Sequence, residues 1–206
     1  MQAQLQGLEI GVLVNNVGIS YEFTRFFHEI DDERVDQLMT MNCESTTWMT
    51  RIVLPGMLER KKGAIVNVSS AAGVAVSPLL AQYGAAKAYV AMFSKALNYE
   101  LAPKGVHVQC QVPMWVTTKL AKIRKASLLV ASEAAYARAA VAAIGYEKLV
   151  SPFWSHALVI WLSMNLPEWI VAAMTYSMHA SVRKAGMKKE AAKKDELEKS
   201  GSKKAN

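Results

Sequence analysis

The chain holds only two cysteines in 206 residues, Cys43 and Cys110. So sparse a pair excludes a disulfide scaffold and fits a reducing compartment. Glycine occurs eleven times, but never in a G-x-x-x-G-x-G spacing. The Gly-rich turn that presents a helix N-terminus to a phosphate is therefore missing from the sequence. No leader of the secretory type opens the chain. Charged residues make up only 20% against 52% apolar, which excludes disorder for the bulk. The length suits one domain of ordinary size.

The charge that is present is uneven. Of the net +7, residues 181–206 contribute 9 Lys/Arg against 4 Asp/Glu, and the other 180 residues contribute 15 against 13. The stretch from Gly186 is expected to be a solvated, mobile tail. It contains no aromatic residue, which argues against a nucleic-acid face. Before it lies an apolar stretch of 26 residues, Phe153 to Met178, interrupted at its centre by Asn165, Pro167 and Glu168. Proline removes a helix donor and a carboxylate is costly at mid-bilayer, so each half is too short to span. The expectation is a helix pair lying on or dipping into a membrane, with Trp154, Trp161, Trp169 and Tyr176 at the headgroups. The alternative is a greasy pair buried in a protein core. Arg183, Lys184, Lys188 and Lys189 place the tail on the cytoplasmic side. Lys203 and Lys204 stand fourth and third from the end, resembling the dilysine ending of endoplasmic-reticulum membrane proteins.

Residues 1–150 alternate in element type. Ile10 to Val14 is a short apolar run that suits a strand buried on both faces. Asp31 or Asp32 caps a long helix reaching about Arg60, bent near Pro55. Ala64 to Val68 is a second strand, about Gln82 to Ala102 a helix, and Val106 to Val112 a third strand. Ser132 begins an Ala-rich helix to about Ile144. This order means α/β with a parallel sheet. The apolar segment then covers 151–182 and the basic tail 183–206.

Four segments carry chemistry: Asn15-Asn16-Val17-Gly18 after the first strand, Asn42 within the long helix, Asn67 to Gly73 ending the second strand, and Tyr83 to Lys87 opening the next helix. Open α/β sheets bind ligands at the carboxyl ends of their strands. Tyr83 and Lys87 stand i,i+4 on one helix face. A nearby ammonium lowers a phenol's pKa, which makes Tyr83 a usable general acid toward a carbonyl oxygen. Gly84, Ala85 and Ala86 leave room for a flat ligand, Ser70 can hold the same oxygen, and Asn42 can anchor a water behind Lys87. Each residue alone has an ordinary structural reading as turn, cap or solvent-facing polar group. Their joint order on these elements gives the chemical reading its weight.

From about Ile10 to Ile144 these residues resemble the short-chain dehydrogenase/reductase family. The resemblance implies a catalytic tetrad of Asn42, Ser70, Tyr83 and Lys87, with Asn15, Tyr83, Lys87, Val116 and Thr118 contacting the cofactor. Residues Pro113 to Thr118 (PMWVTT) take the place of the family's PGxVxT segment, with Met114 for the usual glycine. The stretch from Val106 to Ser132 is similar to the microsomal branch, the very-long-chain 3-oxoacyl-CoA reductases and related 17β-hydroxysteroid dehydrogenases. That implies NADPH as hydride donor, a 3-oxoacyl-CoA as substrate, fatty-acid elongation as setting, the endoplasmic-reticulum membrane as location, and a homodimer or other elongase subunits as partners. A 17-ketosteroid substrate and a non-catalytic, truncated paralogue are the alternatives. The branch also carries a TGxxxGIG segment, which is absent here. The expected fold is thus a partial Rossmann-like doubly wound sheet that begins at the family's fourth strand. Ile10 to Val14 would be an exposed apolar edge, and the chain alone would bind NADPH poorly.

Overall fold

The computed structural model describes residues 2–5, 7–118, 123 and 125–202. Lys203 and Lys204 lie outside them. The strands are β1 (Val12–Asn15), β2 (Gly63–Val68), β3 (Val106–Gln111), β4 (Trp115–Val116), β5 (Val130–Ala131) and β6 (Leu149–Val150). The helices are α1 (Gln2–Leu5), α2 (Asp32–Met39), α3 (Ser45–Arg60), α4 (Ala81–Leu101), α5 (Glu133–Ala142), α6 (Trp154–Asn165) and α7 (Glu168–Ser202). Four strands form one parallel sheet in the order β1-β2-β3-β6, and β4 pairs with β5 separately.

Local sequence explains most boundaries. The Asp31 carboxylate accepts from the Arg34 N–H at 2.7 Å and starts α2. Ser132 caps α5 in the same way. Lys61 closes α3 with a left-handed φ of 50°. The long helix between Asp32 and Arg60 is not uniform, because a π-helical turn, Thr40–Glu44, separates α2 from α3. The helix continues through Pro55 to Arg60.

The core lies between the sheet and α3 and α4, where Leu13, Val53, Met57, Ile65, Leu97 and Val108 pack together. The β3 strand alternates. Val106, Val108, Cys110 and Val112 point to buried apolar clusters. Gln109 and Gln111, also buried, donate instead to backbone carbonyls of Ala143, Glu147 and Ala140. Buried amides demand such partners.

Two expectations need correction. The first strand is not buried on both faces: only Leu13 is buried, while Val12 and Val14 are 54% and 53% exposed. Among the described residues β1 pairs on one side only, with β2, so it is an open edge of the sheet, which bears out the exposed apolar edge expected there. The basic stretch, in turn, is not a separate tail. Helix α7 runs unbroken through residue 182, and Arg183 and Glu190 form ion pairs with Glu29 and Arg25. The apolar stretch does divide into two helices around Leu166-Pro167, and no described helix is long and apolar enough to cross a membrane.

Candidate active site

Parallel strands send their carboxyl ends to one side, and the four segments converge there. Ser70 follows β2 and caps a 3-10 turn, Ala71–Gly73, by accepting from the Ala72 N–H at 3.2 Å. Tyr83 sits in the first turn of α4, with the Ser70 side chain near enough to its phenol to favour the ionised form. Lys87, 5% exposed, lies one turn on and donates to the Val68 carbonyl at 3.1 Å. Its Nζ is 5.9 Å from the centre of the Tyr83 ring. Ser69 fixes this arrangement from below, donating to the Lys87 carbonyl at 2.6 Å.

Asn42 belongs to the π-helical turn, and it is 1% exposed rather than solvent-facing. Such turns insert one residue into a helix and often mark functional sites. Its Nδ2 donates to the carbonyls of Leu38 and Ile19 at 2.9 and 3.0 Å. Its Oδ1 is buried without a partner. Gly18 is required here. A Cβ at that position would lie 2.6 Å from Asn42 Oδ1 and 3.0 Å from Lys87 Nζ. Asn42, Lys87 and the Asn15–Gly18 turn therefore meet at one point.

The other expected cofactor contacts are placed less closely. Asn15 spends its Nδ2 on the sheet, donating to Asn67 Oδ1 at 2.8 Å and Thr50 Oγ1 at 3.2 Å. Val116 is buried in the β4–β5 pair, and the Thr118 N–H donates to the Val116 carbonyl at 2.7 Å. Their segment reaches the Ser70 turn through Pro113, whose carbonyl accepts from the Ala71 N–H at 2.9 Å. Residues 119–122 and 124, which follow this segment, lie outside the described residues.

The electrostatics differ from expectation. Burial pushes the Tyr83 phenol above its ordinary value, and the Ser70 side chain only partly offsets this. Lys87 makes no contribution to that shift, and burial depresses the lysine's own pKa to about 8. A Cβ at Gly84 would stand 2.9 Å from the Ala72 carbonyl, so the turn after Ser70 approaches α4 closely there. Beside that contact Gly84 and Ala85 line a cavity of about 410 Å³ together with the Ala72–Pro78 segment.

Three contributors were not singled out from sequence. Tyr21, buried, accepts from the Gln82 N–H at 3.0 Å and so caps α4, which has no side-chain cap of its own. Asn67 donates to Ser94 Oγ at 2.8 Å, extending the Asn15 contact from β1 through β2 to α4. His156 accepts from the Met114 N–H through Nδ1 at 3.3 Å. Asn67 lies inside the motif already noted, and the other two gave no pattern.

The family model described as short chain dehydrogenase matches residues 1–128. The chain belongs to the short-chain dehydrogenase family. It is 47% identical over 173 residues to the very-long-chain 3-oxoacyl-CoA reductase-like protein of Arabidopsis thaliana, covering 81% of this chain and 55% of that one. To the very-long-chain 3-oxoacyl-CoA reductase of Homo sapiens it is 42% identical, covering 90% and 60%. To the inactive hydroxysteroid dehydrogenase-like protein 1 of Pongo abelii it is 36% identical, covering 89% and 57%. The chain thus spans little more than half the length of these curated relatives. Its fold is similar to a short-chain dehydrogenase from Sphingobium yanoikuyae in complex with NADPH, with a TM-score of 0.67 and 27% identity over 80% of this chain and 65% of that one.

Proposed function

We propose that this chain carries the catalytic half of an NADPH-dependent reductase that converts a very-long-chain 3-oxoacyl-CoA to the 3-hydroxyacyl-CoA in fatty-acid elongation. The observation that carries this reading is the meeting of Ser70, Tyr83, Lys87 and Asn42 at the carboxyl ends of the sheet. When bound, NADPH supplies the hydride. Lys87 and Tyr83 are the residues that would hold its ribose, with Val116 and Thr118 toward the nicotinamide end and the Asn15 segment toward the adenosine side. The unpartnered Asn42 Oδ1 fits such a site, since a buried acceptor is costly unless something bonds it.

Tyr83 keeps its proton because burial holds its pKa high, so it acts as the donor to the substrate carbonyl oxygen. The Ser70 hydroxyl, beside the phenol, steadies the same oxygen. Lys87, depressed to about 8, gives up a proton more readily than an exposed lysine and can restore the phenol. The free Asn42 carbonyl can hold a water for that relay.

Location and partners belong to the same proposal. On α6 and the start of α7, Trp154, Leu158, Trp161 and Trp169 are exposed, which supports a helix pair resting on the endoplasmic-reticulum membrane. Tyr89, Met92 and Tyr99 stand exposed along α4 with Trp48 on α3, which supports a homodimer. A second reading, a non-catalytic partner of the elongase, is favoured by the likeness to a relative named inactive.

The test is an assay of NADPH oxidation. It uses the chain as given and the same chain joined behind the Gly-rich half of a reductase relative, each with a long-chain 3-oxoacyl-CoA and a 17-ketosteroid. The proposal expects turnover of the acyl-CoA by the joined protein and little by the chain alone. No turnover of either substrate by the joined protein would favour the non-catalytic reading. Turnover of the steroid alone would move the assignment to a steroid reductase.

A further inference from the structure

The segment from Val112 to Thr118 leaves the sheet and is pinned residue by residue to different elements. The Val112 N–H donates to the Val150 carbonyl at 2.8 Å, beyond which the β3 ladder ends. Pro113 has no N–H, and its carbonyl accepts from Ala71 in the Ser70 turn. The next donor is the Met114 N–H. It donates to Nδ1 of His156 at 3.3 Å, across 42 residues of sequence. The Thr117 N–H then returns to the Ala131 carbonyl at 3.0 Å. Of these four pins, only the one at Met114 uses a side chain.

His156 is 0% exposed and lies in the first turn of α6. Its ring packs against Phe153 and Tyr136, with centroids 5.0 and 6.1 Å away. Ile160, one turn further on the same inward face, joins the apolar cluster of Cys110 and Val112, against which Met114 also packs. An imidazole buried so fully is costly unless it bonds something, and a buried backbone N–H needs an acceptor. The Met114 N–H gains its acceptor in Nδ1, while the ring's Nε2 is buried without a partner among the described residues. If Nδ1 accepts, the ring is neutral and Nε2 carries the proton. Burial, which holds His156 below the ordinary imidazole range, favours that neutral form.

We propose that His156 is a positioning residue that fixes the Pro113–Thr118 segment beside the Ser70 turn through the Met114 N–H. Its consequence for catalysis rests on the reading above, in which this segment borders the nicotinamide. The tether itself is testable without cofactor, so its failure is distinguishable from failure of the reductase reading. The same tether ties the segment to α6, whose outer face carries Trp154, Leu158 and Trp161.

The experiment is amide hydrogen exchange at Met114 in the wild-type chain, His156→Asn and His156→Phe, with 15N spectra of the wild-type imidazole. Asparagine keeps an acceptor near the position of Nδ1, and phenylalanine keeps the ring without one. The expected result is exchange about tenfold or more faster in His156→Phe, the factor that follows from losing one ordinary hydrogen bond. His156→Asn should remain within about threefold of wild type, because its acceptor replaces the lost one. The wild-type spectrum should show a neutral ring protonated on Nε2. Unchanged exchange in His156→Phe would overturn the proposal, as would equal loosening in both variants. If neither variant folds, the spectrum decides alone, and a ring protonated on Nδ1 at neutral pH would overturn it.

Discussion

Replacing Lys87 by methionine removes a buried ammonium and keeps most of the side-chain volume. Burial lowers the Lys87 pKa from 10.5 to about 8 in the folded protein. At ~1.4 kcal/mol per tenfold change, that displacement corresponds to about 3 kcal/mol. The sign follows from proton counting. Below pH 8 the lysine is charged in both folded and unfolded chains, so its full desolvation cost burdens the fold. Between pH 8 and 10.5 the unfolded chain binds more protons, and the wild type gains stability as pH rises. Methionine never bears the cost, but it leaves the Val68 carbonyl without its partner, which returns about 1 kcal/mol. Lys87→Met is therefore expected to be more stable by about 2 kcal/mol at pH 7, with the advantage shrinking as pH rises past 8. Urea unfolding of both proteins at pH 7, 8 and 9 measures this directly. The pair difference is the useful quantity, because Cys43, Cys110 and Tyr83, all raised by burial, lose stability at higher pH in both chains. A variant no more stable at pH 7, or a difference that ignores pH, would refute the claim that Lys87 is held against its own desolvation for a chemical purpose.

Asn67→Ala should cost about 3 kcal/mol in urea unfolding, because it strips partners from both Asn15 and Ser94 inside the core. Val14→Lys should lower self-association in sedimentation with little change in melting temperature, since a charge on the open β1 edge blocks strand pairing; unchanged association would show that the edge is not the contact. Arg183 holds the Glu29 carboxyl below its ordinary range, so this link of α7 to the loop before α2 is made at neutral pH and lost as pH falls through the lowered value. Arg183→Gln should accordingly speed proteolysis of α7 at pH 7 but add little at acid pH.

The sheet and the tetrad were legible because they rest on short-range patterns. Apolar runs, the Asp31 and Ser132 caps and the Tyr83–Lys87 spacing need only a few neighbouring residues to be understood. The parallel order followed from alternation of strand and helix. What stayed hidden depends on distant partners. The π-helical turn at Asn42 has no local marker, and it takes the Ile19 carbonyl to explain the side chain's direction. His156 sits in an apolar stretch where its neighbours suggested only a greasy helix. The Tyr83 pKa went the other way from expectation because i,i+4 spacing says nothing about burial, and burial is the largest influence here. The basic stretch looked like a free tail because charge alone does not reveal that Glu29 and Arg25 wait 154 and 165 residues earlier.

The central claim is that Tyr83 delivers the proton to a 3-oxoacyl-CoA carbonyl. Tyr83→Phe in the protein joined behind a Gly-rich half tests it most directly, with steady-state reduction of a long-chain 3-oxoacyl-CoA and NADPH binding measured side by side. The account predicts a fall in kcat of about 10²–10⁴-fold, the usual worth of a positioned general acid, with NADPH affinity nearly unchanged. A fall of less than tenfold, with the acyl-CoA still reduced, would contradict it.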